Sequence, residues 1–139
     1  MTTARSGPGA SHIVKTYANT SNDWYQNVVR TGTSSFGWTH IQIGGSTRNT
    51  ANHPTDSVAQ LYWQRAMDNW VNGVGGSIPF ANGRLATYQF TGTGGIARTM
   101  CVLLDDNDYT YSGTNYGPKG IITAYYVAGH VGPTGCARD

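Results

Sequence analysis

Two hydroxyl side chains near the end of the chain, Thr123 and Tyr125, are spaced so that both could act on one substrate. They lie in residues 119–127, whose sequence KGIITAYYV is typical of a buried strand. Side chains two residues apart on a strand share a face, so Ile122, Ala124 and Tyr126 should point the other way. We therefore expect one face to pack in the core and the other to hold a site. The alternative is that Thr123 and Tyr125 have no functional role and occur here because Thr and Tyr favour strands.

Four histidines could transfer protons, because an imidazole has an unperturbed pKa close to neutral pH. His12 lies near the start of the chain, and His40 lies in the run Gly-Trp-Thr-His-Ile. A structural role is open for each: His12 in a disordered arm, and His40 as a hydrogen-bonded residue at a strand end. His53, which precedes a proline, is predicted to be a loop or capping residue, and His130 a surface residue after the last strand.

Cations and tyrosines are the candidate groups for binding a substrate. The candidate phosphate-binding cations are Lys15, Lys119 and Arg98, of which the arginine could equally be a solvated charge. Residues 105–119 are predicted to form a long polar loop, and loops of this length tend to be functional or mobile. Bases or sugars could stack on its rings. The tyrosines of this loop are Tyr109, Tyr111 and Tyr116.

The composition narrows the class of protein. The chain has 139 residues and a formal net charge of +2, which excludes a polybasic segment that binds nucleic acid by charge alone. All seven acidic residues are aspartates, so a mechanism that requires a glutamate base is excluded. The 19 glycines, nine tyrosines and abundant threonine and asparagine are typical of a β-rich secreted domain. The first ten residues lack the apolar segment of a signal peptide, so any export address is expected elsewhere, for instance on a larger parent chain.

The two cysteines, Cys101 and Cys136, do not have the spacing of a metal or redox motif. We predict that they form one disulfide, while two buried free thiols are the alternative. The run Asp105-Asp106-Asn107-Asp108 lacks the spacing and closing glutamate of a calcium loop, so it indicates a turn. No cofactor or metal site is predicted.

The order of elements predicts an α+β fold with N-terminal helices packed on a small C-terminal antiparallel β-sheet. Residues 1–11 are predicted to be a flexible linker, and residues 12–139 a single catalytic-type domain. A short helix is expected from Ser21 to Gly32, a short strand or tight connection in residues 36–43, and a longer helix from Ser57 to Asn72. Three strands of an antiparallel meander are expected at residues 84–90, 98–104 and 120–127.

Taken in order, these features resemble the bacterial toxin ribonucleases. The resemblance consists of an early histidine, the Gly-Trp-Thr-His-Ile element, a helix, and final strands that end in the Ile-Ile-Thr-Ala-Tyr run of residues 121–125. This superfamily comprises C-terminal domains of contact-dependent inhibition and polymorphic toxins. It is related in fold to barnase, colicin nucleases and poly(U)-specific endoribonucleases, and one subgroup is similar to pancreatic ribonuclease.

The resemblance implies metal-independent cleavage of RNA through a 2′,3′-cyclic phosphate. His12 and His40 would be the acid and base, and Thr123 and Tyr125 would donate hydrogen bonds to the scissile phosphate. It also implies RNA, possibly tRNA, as substrate, a cognate immunity protein as partner, and secretion or delivery into a target cell as part of a larger toxin. The domain itself is expected to be a monomer. The alternative is a secreted, non-catalytic module that binds a glycan or a protein through the tyrosine-rich loop.

Overall fold

The computed structural model of the protein describes residues 7–17, 27–68, 71–72 and 83–136. Within these residues the chain forms two α-helices, α1 (Gly37–Gln42) and α2 (Ser57–Met67), and six β-strands. The strands are β1 (Ile13–Thr16), β2 (Val28–Arg30), β3 (Val71–Asn72), β4 (Gly83–Thr91), β5 (Ala97–Tyr111) and β6 (Thr114–Ala128). Short 3₁₀ turns occur at Gly7–Ser11, Thr50–Asn52, Thr93–Gly95 and Pro133–Gly135.

The predicted α+β fold with N-terminal helices on a C-terminal sheet is wrong, because the described chain is mostly β-structure and begins with strands. Val28 and Val29 were expected in a helix, but they lie in β2 and are fully buried. Both are β-branched and favour a strand, which here pairs antiparallel with β1. The beginning of the predicted helix, residues 21–26, lies outside the described residues.

The run at residues 36–43 forms helix α1 and not the expected short strand or tight connection. Alternation of apolar and polar residues over so few positions does not distinguish a strand from a short buried helix. The helix is favoured because it buries His40 and Ile41 together against neighbouring elements. Gly37 begins α1 with a φ of 81°, and a Cβ at this position would lie 2.7 Å from the carbonyl oxygen of Arg30. The glycine therefore allows α1 to pack directly against the end of β2.

Helix α2 confirms the predicted helix from Ser57, although it ends at Met67 and is followed by the strand β3. Its N-cap is Asp56, one residue earlier than expected, whose carboxylate Oδ1 accepts a hydrogen bond from the Ala59 amide at 2.9 Å. The buried positions Ala59, Trp63, Ala66 and Met67 are spaced to form one face of the helix.

The predicted antiparallel meander is confirmed, with strand order β3-β4-β5-β6 in one four-stranded sheet. Helix α2 packs on one face of this sheet through a core that contains Trp63, Met67, Ala86, Val102 and Ala124. A shift of register between Leu103 and Leu104 brings Ile121 to the core, where the expected residue was Ile122. The other face of the sheet carries Thr123 and Tyr125.

The loop expected at residues 105–119 is instead the outer half of the β5–β6 hairpin. Thr110 pairs with Asn115, and Tyr111 pairs with Thr114. The turn is made by Ser112 and Gly113, both with positive φ (49° and 79°), as a tight hairpin turn requires. The polar composition of the segment conceals its strand character because the tip of the hairpin, residues 110–115, extends past the core and is exposed.

Residues 7–11 of the predicted flexible linker form the turn Gly7–Ser11, in which Ala10 is fully buried, and residues 1–6 lie outside the described residues. At the other end, the predicted disulfide between Cys101 and Cys136 is confirmed, with an S–S distance of 2.07 Å. None of the helices in the described part of the chain is long and apolar enough to cross a membrane.

Candidate active site

His40 is held on α1 with its ring buried, at 4% relative exposure. Its Nδ1 lies 2.7 Å from the carbonyl oxygen of Ser34. A carbonyl can only accept a hydrogen bond, so Nδ1 carries the proton and Nε2 is the nitrogen that can gain or release one. Helix α1, which bears His40, packs against strand β6, and β6 carries the predicted hydroxyl pair.

Thr123 and Tyr125 are both buried on β6, at 3% and 6% exposure. Thr123 pairs with Leu103 of β5, and Tyr125 pairs with Cys101. Cross-strand partners point to the same face, so both hydroxyl side chains lie on the face opposite Ala124, which is in the main core. The two residues therefore have the shared face that their spacing predicts.

His53 lies against the same strand, although the sequence indicates a loop or capping residue. It does cap the turn Thr50–Asn52, but its ring is 3% exposed and its centroid lies 5.7 Å from that of Tyr125. Its Nδ1 lies 2.7 Å from the Asn49 carbonyl and 2.6 Å from Asn52 Oδ1, so the proton again resides on Nδ1. Asn52 Nδ2 in turn donates to the Tyr126 carbonyl at 3.3 Å, which fixes the turn to β6.

His53 contacts Tyr125 directly, and His40 lies on a helix that packs against β6. We call His40, His53, Thr123 and Tyr125 the β6 cluster. His53 is the member that sequence reasoning missed. Its local pattern, a histidine before a proline, is that of an ordinary turn, and only its tertiary contact with Tyr125 distinguishes it. Both histidines present the same tautomer, with Nδ1 donating to an oxygen acceptor.

His12 is exposed and lies outside this buried cluster. It precedes β1, and its carbonyl accepts a hydrogen bond from the Thr31 amide at 2.7 Å. The Thr31 carbonyl accepts one from the Thr39 amide at 3.0 Å, so the backbone of His12 supports the segment that leads into α1. His130 is also exposed, and its Nε2 lies 2.8 Å from the carbonyl of Phe90 at the far end of the sheet.

The three candidate cations are placed in different surroundings. Lys119 lies next to α1, with its Nζ 5.9 Å from the ring centroid of Phe36 and 3.8 Å from the carboxylate of Asp105. Lys15 is exposed on β1, over the ring of Tyr17 at 5.1 Å. Arg98 alternates with Thr99 on β5 and so belongs to the helix-covered face, away from Thr123 and Tyr125. Lys119 is therefore the candidate cation that lies on β6 and close to the N-terminal end of α1.

Two of the three predicted tyrosines form an aromatic strip with Phe36. The ring centroids of Phe36 and Tyr109 are 5.4 Å apart, and those of Tyr109 and Tyr116 are 5.9 Å apart. Tyr111, near the tip of the hairpin, is 45% exposed. Since Phe36 is the N-cap of α1, the strip leads from the helix that bears His40 out along the hairpin.

Buried Arg30 attaches this hairpin to the rest of the domain. Its guanidinium donates to three carbonyl oxygens, those of Ser11 at 2.7 Å, Tyr116 at 2.9 Å and Pro118 at 2.9 Å. Burial lowers the pKa of Arg30, because the charged form loses hydration. The three carbonyls compensate by accepting hydrogen bonds from the guanidinium, so the N-terminal turn, β2 and the hairpin are connected through one side chain.

The described residues contain no group of three or more His, Cys, Asp or Glu side chains that could hold a metal ion. No protein-family model, curated protein or solved structure matches the chain.

Proposed function

We propose that the domain is an endoribonuclease toxin domain that cleaves RNA by transesterification, with the β6 cluster as its active site. The observation that supports this most directly is the pairing of the His53 and Tyr125 rings on the strand that His40 also approaches through α1. Two imidazoles and two hydroxyl groups are the set that this reaction needs. Relative to the sequence prediction, His53 takes the place given to His12.

In the proposed reaction, one imidazole accepts the proton of the ribose 2′-hydroxyl through Nε2. The 2′-oxygen attacks the adjacent phosphorus, and the bond from phosphorus to the 5′-oxygen breaks. The second imidazole, in its protonated form, donates its Nε2 proton to the leaving 5′-oxygen. The products are a 2′,3′-cyclic phosphate and a free 5′-hydroxyl, so no atom from water is consumed in this step.

The hydroxyls of Thr123 and Tyr125 would donate hydrogen bonds to the non-bridging phosphate oxygens as negative charge builds on them. Such donors are effective in a buried site, because they are already oriented and compete with little water. Lys119 would add positive charge next to the cluster, and bases of the bound RNA would stack on the strip formed by Phe36, Tyr109 and Tyr116.

The test is an assay of purified protein on mixed RNA, tRNA included, in the presence of EDTA. We expect cleavage that leaves 2′,3′-cyclic phosphate ends, identified by mass spectrometry and by their resistance to a phosphatase until they are opened with acid. RNA that stays full-length after prolonged incubation would refute the proposal. Cleavage that EDTA abolishes would refute its metal-independent form.

For such a toxin we further propose delivery into a target cell as part of a larger secreted protein, and a cognate immunity protein as partner. If the surface around Lys119 attracts RNA phosphates, an immunity protein that covers it should present acidic groups.

A second candidate function is a secreted binding module without catalysis. The exposed ring of Tyr111 near the hairpin tip favours it, since an aromatic side chain there could stack on a sugar or insert into a protein partner. This function predicts that T123V and H53A variants bind their ligand normally, whereas Y111A does not.

A further inference from the structure

The last described residues of the chain fold back over the sheet after β6. The Gly129 carbonyl accepts a hydrogen bond from Thr99 Oγ1 at 2.8 Å, and the Val131 amide donates to the same oxygen at 3.0 Å. Gln89 Nε2 donates to the Val131 carbonyl at 3.2 Å. Residues 129–131 are thus attached by hydrogen bonds to both β4 and β5.

Residues 132–136, which we call the flap, are attached differently. Their described backbone hydrogen bonds are internal, from Gly135 to Gly132 at 2.9 Å and from Cys136 to Pro133 at 3.2 Å. Gly132, Thr134 and Gly135 are exposed, and Pro133 and Cys136 are half-buried. The turn Pro133–Gly135 within the flap touches β4, and the covalent attachment of the flap to the sheet is the disulfide to Cys101.

The disulfide lies beside the β6 cluster. Cys101 pairs with Thr87 of β4 on one side and with Tyr125 of β6 on the other, so the three side chains form one row across one face of the sheet. Cys101 is fully buried even though this is the face that α2 leaves uncovered. Cys136 places the flap on the same face, where its turn Pro133–Gly135 contacts β4 and its disulfide reaches the middle of this row.

We propose that the Cys101–Cys136 disulfide is a redox latch: it holds the flap against the face that carries Thr123 and Tyr125, and reduction by a dithiol opens it. The hinge is at Val131, where the hydrogen bonds to the sheet end. Surface segments with few buried contacts open locally at little cost in free energy, so loss of the covalent bond is sufficient. The paired strands β4, β5 and β6 do not depend on this bond and stay folded.

The chemistry is ordinary thiol–disulfide exchange. A thiolate of the dithiol attacks the more accessible sulfur, that of Cys136, and the S–S bond breaks with Cys101 as leaving group. The second thiol of the reductant then attacks the reductant's own sulfur in this mixed disulfide. Cys136 is released as a thiolate, and the reductant becomes a cyclic disulfide. Two electrons pass from the reductant to the protein, and each cysteine ends as a thiol.

The consequence for activity rests on the proposed function. A disulfide persists outside the cell and is reduced in the cytosol, so a delivered domain would open its flap where its RNA substrate is found. Reduction should therefore raise the rate of RNA cleavage several-fold.

The latch is tested by the reactivity of Cys101 toward a maleimide. Wild-type protein is reduced with a dithiol, freed of reductant and labelled, and each cysteine is followed by peptide mass spectrometry. An open flap exposes Cys101, whose labelling rate should come within about tenfold of that of Cys136. The matched control is the V102C variant in a C101S/C136S background, because Val102 is equally buried but lies on the core face. Its thiol should stay unlabelled while the protein is folded.

Labelling of Cys101 as slow as that of the V102C control would overturn the latch. If Cys101 is readily labelled but oxidised protein, reduced protein and the C136S variant cleave RNA at equal rates, the flap opens without affecting the site. This result would refute the proposed control of activity by the flap. Absence of cleavage in every form would refute the proposed function, and Cys101 labelling would still decide on the latch.

Discussion

The rings of His53 and Tyr125 lie 5.7 Å apart and are tilted by 33°, and this contact connects the turn Thr50–Asn52 to the face of β6 that carries Thr123. The histidine and the tyrosine are separated by more than half of the chain in sequence. Their contact places an imidazole and a hydroxyl group together on the strand against which α1, the helix of His40, packs.

Replacement of the two buried histidines should abolish cleavage, while replacement of His12 should not. We expect H40A and H53A each to reduce the rate of RNA cleavage by about 10² to 10⁴, the usual contribution of a general acid or base. The H12A variant should stay within a few-fold of wild type, because its ring is exposed and outside the cluster. The rates are compared on one RNA at saturating substrate, with circular dichroism as the check on folding. A folded H53A variant with full activity would contradict the placement of His53 in the site.

Because β6 approaches β2 closely at Gly120, replacement of this glycine should destabilise the protein. A Cβ there would lie 2.2 Å from the carbonyl oxygen of Val28, and its φ of 79° is unfavourable for other residues. Gly94 has almost the same φ, 78°, with open space around it. The G94A variant should therefore lose only about 1 to 2 kcal/mol in its free energy of unfolding, the cost of a left-handed residue. The G120A variant should lose clearly more, because β2 or β6 must move.

Urea unfolding of the two glycine variants, monitored by tryptophan fluorescence, separates the two effects. Equal losses in G120A and G94A would show that the approach of β2 to β6 tolerates a methyl group. Because β2 leads into α1, we also expect a folded G120A protein to lose activity, whereas G94A should retain it.

Sequence reasoning finds the features that are local and misses those that depend on distant contacts. The meander, helix α2 and the shared face of Thr123 and Tyr125 follow from periodicities of 2 and 3.6 residues, which burial enforces over long elements. Helix α1 and strand β2 are too short for this, and their conformation is decided by packing against β6 and β1. His53 was missed for the same reason, since its role appears only when the turn that it caps lies on Tyr125.

The N-cap of helix α2 can be tested by replacing Asp56 and its neighbour Ser57. The D56A variant should lose about 1 kcal/mol in free energy of unfolding, because the Ala59 amide loses its side-chain acceptor. The S57A variant should change stability by less than about 0.5 kcal/mol, because Ser57 is exposed and already within the helix. Both values come from urea unfolding at pH 7. A larger loss of unfolding free energy in S57A than in D56A would show that Ser57, and not Asp56, caps the helix.

Stability at alkaline pH should depend on the buried phenol of Tyr17. The side chain is 4% exposed, packs edge-on against Trp63 at 6.3 Å, and lies 3.4 Å from Gln60 Oε1. Burial raises its pKa far above the usual 10, because the phenolate would lose its hydration. The unfolded chain therefore releases this proton near pH 10 while the folded protein retains it. Since the folded state then binds more protons, its stability is fully present below pH 10 and falls as the pH rises further.

The Y17F variant removes this titration and should lose less stability between about pH 10 and pH 11.5 than wild type, in the range where an unperturbed tyrosine ionises. The measurement is the free energy of unfolding in urea at intervals of pH, with Y111F as the matched control because Tyr111 is 45% exposed. Y111F should follow the wild-type curve. If Y17F follows it as well, the alkaline loss of stability comes from other groups, among them Tyr126, whose pKa is also raised, first by burial and then by the charge of Asp56.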